Sequence, residues 1–287
     1  NRGGEDVQAD SRVLEENQNR GGEDVQADSR VLEENQNRGG ENEERAKWVK
    51  DRRRIMKSYE RVYREVAGRI IKRESNDIRG AARRYFHKRE AGLFSTWLEG
   101  FWREHGEYVK RQMLPVTTAY GEMVGHDVEA EIGKTVTAER LTGFVLAYVE
   151  EYVRRHIIKS REKLEARIKQ AQASGKDMVE EIDAELDEWD NERPAQIAKA
   201  ESVRANNAVA FALYSALGVE VLKWYASGSK SCPYCQEMDG RTVEVHVPFF
   251  SPGDDYKPDG AEEGMKITHV IGHPPLHDGC ECVIGAG

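Results

Sequence analysis

Four cysteines stand at positions 232, 235, 280 and 282, all in the last quarter of a 287-residue chain, with His277 just before the second pair. Cys232-Pro-Tyr-Cys235 has the spacing of a zinc knuckle and runs into the turn Met238-Asp-Gly-Arg241. His277-Asp-Gly-Cys280-Glu-Cys282 supplies a second half. Zinc takes soft or borderline ligands at the corners of a tetrahedron, and two knuckles joined by a loop provide them. There are more candidates than corners. Cys232 and Cys235 come first and Cys280 next, while His277 and Cys282 compete for the last place. The gap from His277 to Cys280 repeats that of the first pair, which favours His277. On a strand, Cys280 and Cys282 would face the same side, which keeps Cys282 in contention.

Other cysteine chemistry fits less well. An even count suits disulfides, but no apolar secretion signal opens the chain, and clustered thiols in a reducing compartment hold metal more often. A redox dithiol needs a thioredoxin-like βαβ setting, which the residues around Cys232 lack. His246, His269 and His273 lie near in sequence, yet a lone histidine in a loop usually reads as a satisfied polar residue.

The elements that must position these ligands change character along the chain. Asn1–Gln18 recurs unchanged at 19–36, and a third copy begins at Asn37. Each copy has a Gly-Gly pair and only three large aliphatics, too little burial to offset ordering. Residues 1–42 therefore read as a disordered acidic repeat tether. From Glu43 the period becomes helical, with Trp48, Ile55, Tyr59, Val62, Val66 and Ile70 on one stripe. That stripe is long enough to suggest docking on neighbouring helices, those of other subunits included. Helices are expected at about 43–73, 76–90, 92–113, 117–131, 137–171 and 177–190, and another from Arg193 to Leu217, with Pro194 at its first turn. After Gly218 come short strands at 219–225, 242–247 and 266–271, with proline-rich loops between them. The fold class is α+β: a mainly helical N-terminal two-thirds and a small loop-rich zinc-knuckle unit at the C-terminus. The divisions fall at 1–42, 43–190 and 191–287. A core as thin as that of the last unit needs a staple.

Charge is distributed in blocks. Residues 1–44 carry 5 basic and 13 acidic side chains, whereas 45–89 carry 17 basic and 5 acidic. The basic stretch could neutralise nucleic-acid phosphates, but its apolar residues at helical spacing favour packing over nucleic acid. No apolar run reaches the ~20 residues of a membrane helix. Glu201 shares a helix face with Ile197, Ala205, Ala208 and Ala212, which turns it inward. A buried carboxylate must be paired, so Glu201 reads as a brace for the knuckle loops; a solvated helix face and a catalytic base are the alternatives.

Several separated motifs occur in an order that resembles the phage Mu protein F-like family of minor head proteins. They are Arg193-Pro-Ala-Gln-Ile-Ala-Lys-Ala-Glu201, Ala205-Asn-Asn207, Lys223-Trp224, Cys232-Pro-Tyr-Cys235, Asp239-Gly-Arg241, Pro274-Pro-Leu-His277, Cys280 and Cys282. The resemblance covers about 190–284; residues 90–189 are similar only in being helical. Relatives commonly have Arg-Thr before the motif glutamate, where this chain has Lys199-Ala200, so a hydroxyl is lost. The resemblance implies a non-enzymatic role in head morphogenesis near the portal, with portal or capsid proteins, or further copies of the chain, as partners. It implies the capsid interior as location, and the host cytoplasm during assembly. Relatives are sometimes fused behind a portal protein, and Arg45–Phe86 after an acidic tether looks like such a junction. The competing class is a metal-dependent hydrolase or nuclease with His269, His273 or His277 beside an open zinc position. That chemistry needs three protein ligands, an open place and a base, and the sulfur-rich set favours a closed site.

Overall fold

A computed structural model describes residues 6–88, 90–226 and 231–287, with the side chains of 6–42 and 44 outside that description. The chain divides into two compact units, Asn1–Asp51 and Arg52–Gly287. Among the described residues four long helices come first: α1 (Asp6–His87), α2 (Ala91–Ile132), α3 (Ala138–Ser174) and α4 (Met178–Ala216). A smaller region of short strands and loops follows, so the chain is mainly helical over its N-terminal two-thirds. No helix among the described residues is long and apolar enough to cross a membrane. The side chains of the stretch read as a tether, 1–42, lie outside the described residues.

The helix ends follow local chemistry. Asp177 caps α4, its carboxylate accepting from the amides of Val179 (2.9 Å) and Glu180 (3.0 Å). Gly133 and Gly175 close α2 and α3 in the left-handed region at φ 69° and 66°. The breaks expected near 74–75, 114–116 and 191–192 are not there. Pro115 lies inside α2 and Pro194 inside α4. An interior proline costs about 3 kcal/mol, but Pro115 is exposed, so water can serve the carbonyl it leaves free. The buried face continues past it through Met113, Thr117, Tyr120 and Val124, and that burial outweighs the loss. Position 190–191, where a domain boundary was drawn, falls inside α4.

All four helices share one core. Ile71, Ile78, Ala81 and Ala82 of α1 meet Phe94, Leu98 and Trp102 of α2, Leu164 of α3, and Ile182, Leu186 and Trp189 of α4. Part of the stripe read on α1 is taken up within the chain: Val66 and Ile70 are buried and Tyr59 stacks on Tyr120 at 4.3 Å, while Trp48, Ile55 and Val62 are half-buried. Many arginines of the basic stretch answer acids elsewhere. Arg79 reaches Asp187 at 2.8 Å, Arg83 reaches Asp183 at 2.8 Å, and buried Arg52 pairs with Asp127.

Beyond α4 the strands are β1 (Val221–Tyr225), β2 (Thr242–Glu244), β3 (Asp255–Tyr256), β4 (Met265–Lys266) and β5 (Val283–Ala286), with the one-and-a-half-turn helix α5 (Pro233–Met238) after β1. β1 is central and antiparallel to both β2 and β5, pairing Leu222 with Val243 on one side and with Ala286 on the other. β3 and β4 form a separate hairpin-like pair. The strand expected at 266–271 is shorter, and Ile271 contributes one bridge to Phe250. β5, unexpected from the sequence, brings the chain's end back beside β1 directly after the last cysteine.

Candidate metal centre

Each half of the cysteine constellation is built by a local turn. Cys232 caps α5, Pro233 occupies the first helical position where its missing N–H costs nothing, and Cys235 lies one turn in. The Gln236 amide donates to the Cys232 carbonyl at 3.0 Å, closing that turn. In the second half the Cys280 amide donates to the His277 carbonyl at 3.1 Å, and Gly279 sits at φ 82°. A positive φ at the third position of a turn is cheap only for glycine, so the sequence His277-Asp-Gly-Cys280 folds its two end residues together.

The two halves meet. The Nε2 of His277 lies 3.0 Å from Cys232 Sγ and 3.2 Å from Cys235 Sγ. Cys235 Sγ lies 3.7 Å from Cys280 Sγ. The donor atoms fall into two triads, Cys232–Cys235–His277 and Cys235–Cys280–Cys282, with every pair inside a triad within 4.8 Å. Cys235 belongs to both. All five expected residues are thus gathered, and all four thiols are free. A Zn–S bond of about 2.3 Å at tetrahedral angles sets sulfur–sulfur edges near 3.8 Å, which the Cys235–Cys280 distance matches. The cysteine–histidine contacts are a little shorter than the roughly 3.5 Å edge such a centre sets.

Burial and proton placement complete the picture. Cys235, Cys280 and Cys282 are 3%, 4% and 1% exposed. Hydrogen bonds from Cys235 and Cys282 hold the Cys280 thiol down to about 3, whereas hydrogen bonding to Cys280 and Cys282 together with burial pushes Cys235 far up. Hydrogen bonding to Cys235 favours the Cys282 thiolate, but hydrogen bonding to Cys280 and burial outweigh it and push Cys282 up. Among these three thiols the thiolate is thus favoured at Cys280, and the proton at Cys235 and Cys282. A divalent ion removes that restriction by displacing the protons. The His277 ring is oriented to match: Nδ1 lies 2.8 Å from the Asp278 carbonyl, which can only accept. Nδ1 therefore carries the hydrogen, and Nε2 presents a lone pair to the thiols. Such a backbone acceptor behind a metal-bound imidazole is the usual way of fixing its tautomer.

Neighbouring elements hold the cluster in place. Asn207 of α4 donates to the Cys282 carbonyl at 3.0 Å and accepts from the Ile284 amide at 3.0 Å, tying the last cysteine and β5 to the helix. The Gly240 amide donates to the Trp224 carbonyl at 2.8 Å and the Trp224 amide to the Arg241 carbonyl at 2.9 Å, which seats the Asp239-Gly-Arg241 turn on β1. Glu201 is buried and accepts from Tyr148, from Arg155 at 3.3 Å and from Arg204 at 2.6 Å. It is a paired inward carboxylate, braced on α3. The remaining histidines stay outside: His246 and His269 are exposed, and His273 packs its ring 5.8 Å from that of Phe211.

A second carboxylate–histidine cluster has no counterpart in the sequence reading. Glu74 of α1, His105 of α2 and His156 of α3 converge in the helical core, all buried, with donor atoms within 4.8 Å. Glu74 Oε2 lies 2.9 Å from His156 Nε2 and 3.5 Å from His105 Nε2, and Arg193 Nη1 stands 3.8 Å from Oε1. Burial pushes the Glu74 carboxyl up, but the charge and hydrogen bond of His156, the adjacent His105 ring and the Arg193 guanidinium outweigh it and hold it well below the usual carboxylate range. In donor count the trio could hold a metal, but the guanidinium already supplies the opposing charge. The signal in the sequence is weak: His105 and His156 sit on the apolar faces of their helices, and Glu74 stands where a break was expected. The chain matches no family model, no curated protein and no solved structure.

Proposed function

We propose that the chain is a structural component of a tailed-phage head, acting beside the portal during capsid assembly, with a zinc-held C-terminal unit as its rigid end. The observation that carries the reading is the donor set: four thiols and one imidazole in one largely buried cluster, with Cys235 common to both triads. Thiolates with imidazole suit zinc over harder cations, and sulfur-rich zinc sites are structural more often than catalytic. The order of motifs from Arg193 to Cys282, which resembles that of minor head proteins of the Mu F-like kind, supplies the biological setting. In this role the metal fixes the loops after Gly218, the helices supply a docking frame, and the partners are portal or capsid proteins or further copies of the chain.

Two measurements test the proposal separately. Elemental analysis of protein purified without chelator should find one zinc per chain. Co-expression with a portal protein and capsid proteins should place the chain inside assembled heads, detected by mass spectrometry of purified particles. Incorporation should fall when Cys235 and Cys280 are both replaced by serine. A chain that stays out of the particles, or that hydrolyses nucleic acid or esters in a zinc-dependent way, overturns the structural role.

A further inference from the structure

Beside the metal loop a cleft of about 570 Å³ opens between α3, α4 and the Asp278-Gly279 turn. Its charge is one-sided. Arg155, Lys159, Lys163, Arg193, Lys199 and Arg204 line it, against Glu201 and Asp278. Arg155 and Arg204 both pair with Glu201, and Arg155 also reaches Glu151. Lys159 and Lys163 make no ion pair among the described residues, although they follow Arg155 at intervals of four on one face of α3. Like charges so spaced on a helix repel, and no carboxylate among the described residues pairs with them.

The floor is polar and underused. Tyr152 is 3% exposed, and its hydroxyl has no hydrogen-bond partner among the described residues. Arg193 is 5% exposed; one arm of its guanidinium donates to Ser160 at 2.7 Å, while Nη1 comes no nearer to Glu74 than 3.8 Å. Groups this deeply buried are normally paired. Tyr152 lines the base of the open cleft, where an incoming oxyanion would accept from its hydroxyl, and Arg193, ion-paired to Glu74 behind it, adds its charge there.

We propose that this cleft binds a phosphate-bearing small anion, held by Lys159 and Lys163 above and by Tyr152 and Arg193 below. The volume is that of a small-molecule site and not of an extended groove. Lys159 and Lys163, the two lining cations without an ion pair among the described residues, carry the two charges that a phosphate dianion answers. The planar fork of Arg193 and the hydroxyl of Tyr152 are donors, as phosphate oxygens require. One wall is the turn between His277 and Cys280, so the metal centre and the cleft share a loop.

The test is calorimetric titration of the full, metal-replete chain with inorganic pyrophosphate in chloride buffer, so that failure speaks to the cleft and not to the metal centre. One saturable site per chain is expected. Lys159→Glu with Lys163→Glu should weaken it at least about tenfold, since two attractive charges become repulsive. Tyr152→Phe, which leaves the charge unchanged, should weaken it about threefold or more through loss of one hydrogen bond. Circular dichroism and thermal midpoints establish that each variant is folded. Absence of saturable binding to the unmodified chain overturns the proposal, as does equal binding by the folded double variant. Duplex DNA that binds while pyrophosphate neither binds nor competes also overturns it, by assigning the charge to a nucleic-acid surface.

Discussion

Replacing Cys235 by serine strikes the one donor that both triads use. Its sulfur stands 3.2 Å from His277 Nε2 and 3.7 Å from Cys280 Sγ, so either completion of the tetrahedron includes it. Structural zinc contributes roughly 10–16 kcal/mol of apparent binding free energy near neutral pH. Shared over four ligands, that is about 2.5–4 kcal/mol for each, or roughly 60- to 700-fold in affinity at 1.4 kcal/mol per decade. Cys235→Ser should therefore weaken zinc by about two to three orders of magnitude, read by competition with a chromophoric chelator of known affinity. Because both knuckle turns converge on Cys235, the same change should lower the unfolding midpoint of the region after Gly218 while the helical signal persists. His273→Ala, outside the cluster, should leave zinc affinity within about twofold, as surface changes away from special features usually do. The paired variants His277→Ala and Cys282→Ser then identify the fourth ligand: the true one should resemble Cys235→Ser and the other His273→Ala. Zinc well below one per chain in the unmodified protein, or a Cys235→Ser protein that binds within threefold of it, refutes the reasoning.

Three further outcomes follow from the packing. Glu74→Gln leaves the Arg193 guanidinium buried without its anion and should cost about 3–5 kcal/mol in urea denaturation; a loss under about 1 kcal/mol would show that the cluster carries little charge. Because the folded Glu74 carboxyl is held below its unfolded value, its contribution is present above about pH 4.3 and drains away as pH falls through the lower folded value. The unmodified chain should thus lose stability more steeply than Glu74→Gln between about pH 4.3 and 3, and parallel curves would refute this. Asn207→Ala strands the Ile284 amide and the Cys282 carbonyl, at about 1–3 kcal/mol for each buried group, measurable as a lower thermal midpoint together with weaker zinc; unchanged zinc affinity would separate the anchor from the metal. Ile70→Ala should cost about 2–5 kcal/mol as a core truncation yet leave the oligomeric state by light scattering unchanged, since Ile70 is fully buried within its own chain; a change of oligomeric state would restore the interface reading.

The cysteine cluster was legible in the sequence because its geometry is local in two pieces. Cys232-Pro-Tyr-Cys235 and His277-Asp-Gly-Cys280 are each folded by short-range turn chemistry, so residue types and spacing specify both knuckles before any long-range contact. The choice between His277 and Cys282 was less legible, because it depends on how two separate pieces meet. The structure places both near Cys235, in different triads, with Cys282 held by its tie to Asn207. β5 itself is a four-residue run after Cys282, too short for an alternating pattern to register. Helix existence was readable from the 3.6-residue period, but helix continuity was not. Pro115 and Pro194 carry strong local stop signals, and only tertiary burial on the opposite face overrides them.

The Glu74 cluster shows the same limit from the other side. Its members stand 31 and 51 residues apart in sequence, one on each of three helices, and no short motif joins them. What brings them together is the packing of α1, α2 and α3 around one core, and a polar residue on an apolar face is the faint sign such packing leaves in the sequence. The two clusters therefore answer different physical needs. The helical core has abundant apolar surface and carries an ion-paired network inside it. The C-terminal unit has short strands and long loops, and is joined to that core by α4 and Asn207. Removing Glu74 should weaken the bundle wherever the metal stands, whereas removing zinc should loosen the loops and leave the bundle folded. The two perturbations should be additive in a combined Glu74→Gln, Cys235→Ser chain, as distant sites without shared partners usually are to within about 0.5 kcal/mol. A larger coupling energy would mean that α4, which contributes Arg193 to one cluster and Asn207 to the other, transmits between them.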